Sequence, residues 1–164
     1  MLFGTTDGAS ISRVAIEGGT VRMNTSYAAH TGSIVGACGT GRPTSITLSY
    51  SKANLTGCTS DAGGLVGKMY GSIDNCFFAG TINASSTTGG LVGSSFDDSH
   101  SFVYSSTIRS DVYTGAFIGW MHKTSSFNSC YYIADITDMA GYSAGTFSSC
   151  GTKTASLFAN GSVL

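Results

Sequence analysis

Two aspartates come closest, in type and spacing, to residues that could do acid–base chemistry. Asp111 and Asp135 fall one above the other on an outward face when the repeats of the sequence are stacked. Paired carboxylates about 5 Å apart are the layout with which polysaccharide-cleaving enzymes supply a general acid and a second carboxylate. We expect instead a surface pair relieved by Arg109, on the same predicted strand, or by a bound cation. A carbohydrate-active enzyme is the alternative, and no catalytic residue is assigned.

Five cysteines raise the question of disulfides. Cys76 and Cys130 fall two repeats apart, about 9.6 Å, which exceeds the roughly 7 Å that a disulfide can span. Cys130 is a possible neighbour of Cys150. Cys38 and Cys58 could close a loop, and the odd count leaves at least one free thiol. The inward alternation favours small buried hydrophobic side chains for most of them, and no Cys or His spacing indicates a metal site.

The three histidines do not form a recognisable site in the sequence. His30, His100 and His122 fall in predicted turns at unrelated positions of the repeat, so a nucleophile with an adjacent base is not expected. Asp97 and Asp98, close to His100, lie in a longer connection that would suit either a cation or solvent. We expect exposed turn residues at these positions, and we predict no cofactor and no metal.

Aromatic side chains form two outward lines in the same alignment. The first is an exposed column interrupted by Thr107, and the second recurs just after the last glycine of each repeat. Sugars and protein partners both stack on such flat rings, whereas the alternative is packing of long turns over the body. The predicted ligand-binding residues are Tyr50, Phe77 and Tyr131 in the first line and Tyr70, Phe96 and Trp120 in the second, with His122 as the alternative to Trp120.

A repeat of about 26 residues, a period typical of stacked repeat architectures, is the element that must position all these side chains. GGLVG at residues 63–67 recurs at residues 89–93 and, as GAFIG, at residues 115–119, so the interval from Gly63 to Gly89 equals that from Gly89 to Gly115. A looser copy, GSIVG at residues 32–36, precedes the first by a slightly longer interval. We expect the glycines to occupy corners with positive φ, where a Cβ would be strained.

A second segment follows each of these units and alternates like a β-strand. Residues 73–82 carry apolar or small side chains at every second position, and the same template fits residues 46–55, 103–112 and 127–136. A period of two indicates strands rather than helices. The predicted inward sets are Cys76, Phe78, Gly80 and Ile82; Ser106, Ile108, Ser110 and Val112; and Cys130, Tyr132, Ala134 and Ile136.

These two segments together predict the fold class. We expect an all-β chain, a right-handed parallel β-helix or β-solenoid of about five to six coils that forms a single domain over residues 1–164. Equivalent residues then form vertical columns, among them the fully apolar Leu65, Leu91 and Phe117 with Ile34 beneath.

The composition excludes several classes of function. A formal net charge of −1, with 8 basic and 9 acidic residues scattered singly, provides no electrostatic surface for nucleic acid. No apolar run approaches the roughly 20 residues of a membrane helix. The opening residues lack the basic start and apolar stretch of a signal peptide. We therefore expect no nucleic acid, no membrane insertion, and either a cytosolic protein or a piece of an exported one.

At GGLVG of residues 63–67 and 89–93, and at the Ile-x-Asn-Cys-x-x-x-Gly-x-Ile pattern of residues 73–82, the sequence resembles the GLUG motif family. This family is named for its Gly-Leu-apolar-Gly signature and occurs as tandem arrays in bacterial surface and secreted proteins. The resemblance is clearest over residues 32–137. It implies an extracellular or cell-surface β-helical spacer or adhesive module without catalytic residues.

The resemblance weakens at two places. Ala116 and Phe117 replace Gly and Leu in the third copy, and Ser105 with Ser106 replaces the Asn-Cys pair in the second. These changes are conservative for a coil, so the implied fold is unaffected.

Neither end of the repeat pattern shows a capping segment, although open rungs of a solenoid tend to pair with other edges. We expect a segment of a longer protein, or a subunit that associates with itself through open ends. The leading function is a non-enzymatic structural or adhesive module that presents or binds ligands, with carbohydrate or a cell-surface protein as partner. The alternatives are a self-assembling filament subunit and a carbohydrate-active enzyme.

Overall fold

The computed structural model describes residues 1–23, 29–95, 99–104, 108–133 and 138–154, with residues 99–104 described by their backbone alone. Within these ranges the strands pair in parallel and no helix occurs, which confirms the predicted all-β class. The same ranges accordingly contain no helix of the length and hydropathy needed to cross a membrane.

The described strands lie in four sheets, which we name A to D. Sheet A contains Phe3–Thr6, Val35–Cys38, Val66–Met69, Val92–Ser95, Ile118–Met121 and Ala140–Ser143. Sheet B contains Ser10–Ser12, Ala15–Ile16, Thr44–Thr47, Tyr50–Ser51, Gly71–Phe78, Ser99–Tyr104, Ser126–Asn128, Tyr131–Ile133, Thr146–Ser148 and Gly151–Thr152. Sheet C contains Thr20–Arg22, Asn54–Cys58, Ile82–Ala84 and Ile108–Arg109, and sheet D contains Thr31–Gly32, Ala62–Gly63, Thr88–Gly89 and Thr114–Gly115.

From Phe3 to Met121 the chain visits the sheets in the order A, B, C, D and then returns to A, and we call each return to sheet A one circuit. Val66 pairs in register with Val35 on one side and Val92 on the other, and Val92 pairs with Ile118. The constant interval of the GGLVG units, and the longer interval before them, are therefore both confirmed. The next circuit is shorter, because Ile118 pairs with Ala140.

The last glycine of each GGLVG unit allows two backbones to approach closely. A Cβ on Gly67 would lie 2.3 Å from the backbone N of Thr31, and one on Gly119 would lie 2.5 Å from that of Thr88. Only glycine lets the sheet A strand lie against the chain that enters sheet D. The expectation of positive φ at these glycines was wrong, because the requirement is space rather than handedness. Positive φ occurs instead at Gly8, Gly19, Gly57 and Gly71.

Sheet B bends where one residue adopts a left-handed conformation. This residue is Asn75 in one circuit, and it directly precedes the buried Cys76. The Cys76 thiol donates to the carbonyl of Asp74 at 3.2 Å and accepts the backbone N–H of Ser49 from the previous circuit at 3.4 Å. Side chains thus replace the backbone ladder at the bend. The same conformation occurs at Arg13, Leu48, Ser129 and Ser149.

This bend gives the Asn-Cys pair of the repeat a physical role. Asn is among the residues that tolerate positive φ, and the small side chain after it satisfies the bonds that the bend leaves open. In the last described circuits the N–H of Cys130 donates to the sulfur of Cys150 at 3.4 Å. The column of Cys and Ser side chains therefore belongs to the buried core and also forms hydrogen bonds from one circuit to the next.

All five cysteines are free, four of them buried and Cys150 half-buried. The prediction of small buried side chains is confirmed. Burial raises the pKa of the Cys76 thiol to about 11, and burial likewise raises the pKa of Cys58. Neither thiol is a reactive nucleophile at neutral pH.

The predicted alignment of residues 103–112 was wrong. Ile73 pairs with Ser99 and Cys76 pairs with Ser101, so the strand begins at Ser99 rather than at Val103.

The predicted inward set of this circuit was also partly wrong. Val112, which was assigned to the interior, is 59% exposed, and Ser110 is only partly buried. Ile82 pairs with Ile108 rather than with Val112. An even shift preserves the alternation, which is why Ile108 is nevertheless buried. Ser105, Ser106, Thr107, Ala134 and Ile136 lie outside the described residues.

The apolar core fills the space between the sheets. Leu65, Leu91 and Phe117 are fully buried above Ile34, as the predicted column requires. The ring of Phe117 lies 5.9 Å from that of Phe127 of sheet B. It meets the ring of Tyr132 edge-on at 5.3 Å, so that sheets A and B share one aromatic core.

Candidate functional site

The first predicted aromatic line is a column on the outer side of sheet B. Tyr50 pairs in register with Phe77, and their half-buried rings stack with centroids 4.7 Å apart and planes 6° from parallel. The next positions are Phe102 and then Tyr131. Phe102 therefore occupies the position predicted for Thr107, because the alignment of this circuit was wrong. We call Tyr50, Phe77 and Tyr131 the sheet B column.

Charged groups contact the outer rings of the sheet B column. The Nζ of Lys52 lies 5.4 Å from the ring centre of Tyr50 and 2.7 Å from Glu17, and the Tyr50 hydroxyl donates to the same carboxylate. Hydrogen bonds from Lys52 and then from Tyr50 lower the pKa of Glu17. At the other end, Lys153 lies 4.8 Å from the ring centre of Tyr131. These rings are already engaged by protein groups.

The second predicted line does not form one column. Trp120 pairs in register with Ser94, and Ser94 pairs with Lys68. The residue equivalent to Tyr70 is therefore His122, since Met69, Ser95 and Met121 are in register just before them. Of the two residues predicted to follow Tyr70 and Phe96 in this line, His122 is therefore confirmed and Trp120 was wrong. Tyr70 is partly buried against the core, and Phe96 lies outside the described residues.

Trp120 belongs instead to an aromatic cluster on sheet A. Its ring stacks on that of Tyr142 at 5.9 Å and 10°, and Tyr142 lies 6.1 Å from Tyr113 with the planes tilted by 54°. His122 lies 6.0 Å from Trp120. Tyr113 is 40% exposed and Tyr142 is 45% exposed. We call Tyr113, Trp120 and Tyr142 the sheet A cluster.

Sequence reasoning missed both tyrosines of this cluster. A signal was present, because Gly141-Tyr142 repeats Gly119-Trp120. The interval between these two pairs is shorter than the interval between GGLVG units, so a fixed period did not reveal it. Tyr113 directly precedes a strand of sheet D, a position with no Phe, Tyr or Trp in the earlier circuits.

A polar cluster lies beside the same face. The Nδ1 of His30 lies 3.1 Å from Oδ2 of Asp61, in a contact that lacks the alignment of a hydrogen bond. The Ser94 hydroxyl donates to that oxygen at 2.7 Å. Burial by itself would raise the pKa of Asp61, but the contacts with His30 and Ser94, with the charges of His30 and Lys68, hold that pKa below its usual value.

This arrangement differs from a catalytic triad. Ser94 donates to the acid rather than to the imidazole, so no base withdraws its proton. The prediction of an exposed turn residue at His30 was wrong, because its ring is partly buried against Asp61. The cluster can orient hydrogen-bonding groups, and it has no activated nucleophile.

The predicted carboxylate pair is placed only in part. Asp111 is exposed and lines a shallow depression of about 270 Å³, whereas Asp135 lies outside the described residues. Arg109 pairs in register with Asn83 on sheet C. The other residues lining the depression are Gly57, Cys58, Thr59, Asn83, Ala84 and Ser85.

No described group of three or more His, Cys, Asp or Glu side chains is arranged to share a metal ion. Asp97, Asp98 and the side chain of His100 lie outside the described residues.

Comparison with known proteins agrees with the predicted resemblance. No curated protein and no solved structure matches the chain. A family model does match, and it covers one complete passage from the end of sheet C through sheets D, A and B to the start of the next sheet C strand. Residues 59–83 match the family model of the GLUG motif.

Proposed function

We propose that the chain is a right-handed parallel β-solenoid that acts as a non-enzymatic structural and binding module at the cell surface or outside the cell. The repeated order of four sheets, paired in register from circuit to circuit, supports a coil of stacked repeats. Right-handed connection is the sense that parallel strands overwhelmingly adopt. The GLUG motif at residues 59–83 supports a repeat protein of the surface class.

The ligand that this surface suits best is carbohydrate. The observation that carries the proposal is the sheet A cluster, in which Tyr113 and Tyr142 keep 40% and 45% of their surface exposed. Aromatic rings offer a large, rigid apolar face together with a polar edge. Sugars have the matching combination of a flat apolar face and a rim of hydroxyl groups.

Binding and hydrolysis of a polysaccharide panel test this function together. Retention in affinity gels containing a polysaccharide, with no release of reducing ends, is the expected result. Release of reducing ends that disappears in Asp111→Asn would favour the carbohydrate-active enzyme instead. Asn83→Asp, at the same depression, is a matched change of charge outside the predicted carboxylate pair.

Self-association is the alternative that the structure supports. Phe3–Thr6 is the edge strand of sheet A among the described residues, and Leu2 and Phe3 are exposed. Exposed apolar edges pair with other strands. Sedimentation of the purified chain over a hundredfold range of concentration distinguishes a filament subunit from a monomeric module, and Phe3→Lys should then reduce any assembly.

A further inference from the structure

The sheet A cluster differs from ordinary exposed apolar residues because its rings are close together but not closed. The centroid distances of 5.9 and 6.1 Å are those of packed aromatic pairs, yet Tyr113 and Tyr142 remain 40% and 45% exposed. Ala140–Ser143, which carries Tyr142, is the outermost strand of sheet A at this end of the described residues.

The size of the cluster argues against a protein partner. An aromatic side chain buries about 150–250 Å² when fully enclosed, so three rings that are already half covered leave on the order of 250 Å². A standard protein interface needs roughly 800 Å² from each partner. A face this small matches one or two sugar rings.

Polar groups continue the surface in the direction of the earlier circuits. His30, Asp61, Thr87 and Tyr113 occupy equivalent positions, each directly before a strand of sheet D. Asp61 bonds to Ser94, which is one rung, about 4.8 Å, from Trp120. The carboxylate contacts His30 and lies within reach of the charge of Lys68, and the side chain of Asp61 keeps 22% of its surface exposed.

We propose that the sheet A cluster is a binding subsite for a neutral polysaccharide, with Tyr113 and Tyr142 stacking on sugar rings, Trp120 supporting the ring of Tyr142, and the partly exposed carboxylate of Asp61 accepting hydrogen bonds from sugar hydroxyl groups. This rests on the proposed carbohydrate-binding function and specifies where the sugar binds. It also specifies the class of ligand, because the ionised carboxylate of Asp61 would repel the carboxylates of a uronic acid polymer but not an uncharged chain.

Trp120 makes the test direct, because the chain contains a single Trp. Its emission is titrated with a soluble neutral β-glucan and, in parallel, with polygalacturonate as the acidic comparator. The β-glucan should shift or quench the emission, and polygalacturonate should not. Tyr142→Ala and Tyr113→Ala should each weaken β-glucan binding about tenfold, which corresponds to roughly 1.4 kcal/mol.

Matched controls come from the other aromatic column. Tyr50→Ala and Phe77→Ala remove rings of the same kind and should leave the β-glucan titration within twofold of the parent. Because Tyr113 and Tyr142 are exposed, their variants should keep the parent circular dichroism spectrum. Tyr142→Phe, which keeps the ring, should retain binding.

The outcomes distinguish a failure of the proposed subsite from a failure of the proposed carbohydrate-binding function. Binding that is lost in Tyr50→Ala but not in Tyr142→Ala would overturn the subsite and leave the carbohydrate-binding function standing. Equal response to polygalacturonate would overturn the neutral class. Absence of binding to every polysaccharide tested would overturn both, and an emission shift that depends on protein concentration alone would assign the cluster to a second copy of the chain.

Discussion

The sheet A cluster and the sheet B column place the same kind of residue in different surroundings. In sheet B, Tyr50 and Phe77 are nearly parallel at 4.7 Å, and Lys52 lies over Tyr50. In the sheet A cluster, Tyr113 and Tyr142 are tilted by 54° with ring centroids 6.1 Å apart, and both remain exposed. Stacked rings that protein groups cover thus stabilise the fold, whereas the exposed rings of Tyr113 and Tyr142 carry the proposed binding subsite.

The difference arises from register. In the sheet B column, Tyr50 and Phe77 occupy consecutive rungs, so their rings meet at the strand spacing. The equivalent sheet A column reads Lys68, Ser94, Trp120 and Tyr142, with rings at the last two rungs only. Whether an outward aromatic ring is covered or exposed can therefore be judged only when the residues above and below it in the column are known.

Removing a core ring that lies beneath the sheet A cluster and the sheet B column should have the largest effect on stability. Phe117 is fully buried and contacts Phe127 and Tyr132 of sheet B. Phe117→Ala should lower the free energy of unfolding by about 3–5 kcal/mol through lost contacts and a cavity, as measured by urea titration. Val112→Ala, at an exposed site, should change it little. A loss below about 1 kcal/mol is far less than a buried aromatic ring normally contributes. Such a result would show that the sheet A cluster and the sheet B column do not share a core.

Gly119→Ala should disrupt the sheet A cluster selectively. The added Cβ would lie 2.5 Å from the backbone N of Thr88 and 2.6 Å from Cγ2 of Thr87, so the strand carrying Trp120 must move. We expect a loss of about 1–3 kcal/mol and a red shift of the Trp120 emission. Gly4→Ala, in the same sheet but with nothing within 4 Å of the new Cβ, is the control. Equal behaviour of the two variants would contradict the role assigned to the last glycine.

Phe77→Ala should weaken the sheet B column without affecting the other face. The stacked pair with Tyr50 and half-buried apolar area together contribute about 1–2 kcal/mol, which urea titration measures. Trp120 emission should be unchanged. Phe77→Leu should recover part of the stability, because it restores apolar area but not the stack. A change in Trp120 emission would mean that the two faces are coupled.

Asp61→Asn should have the smallest effect, and that effect should depend on pH. Folding lowers the pKa of Asp61 below its ordinary 3.8. The carboxylate therefore stabilises the fold above about pH 3.8, and this contribution disappears as the pH falls through the folded-state pKa. The difference between parent and variant in urea titrations should be about 0.5–1 kcal/mol larger at pH 6 than at pH 3. A difference that does not vary with pH would contradict the lowered pKa of Asp61 in the folded state.

Much of the fold could be predicted because both the spacing and the residue types of the repeat indicate stacked parallel strands. The constant interval between GGLVG units and the alternation of residues 73–82 indicate parallel strands stacked in register. The apolar column of Leu65, Leu91 and Phe117 was predicted for the same reason. The register of residues 99–104 was not, because one circuit lacks the left-handed residue of its neighbours, and alternation alone permits any even shift.

The sequence by itself determined the class of fold, the strand period, the buried cysteines and the GLUG motif, because these depend on local pattern and on the spacing of glycines. Only the tertiary structure decided which side chains meet. Tyr142 reaches Trp120 across a circuit shorter than the repeat, and His30 reaches Asp61 across a longer one. Such contacts depend on how much chain each circuit places in its turns, and turn lengths vary without changing the strand pattern. The candidate binding surface is therefore a product of stacking, although every residue in it belongs to a recognisable repeat.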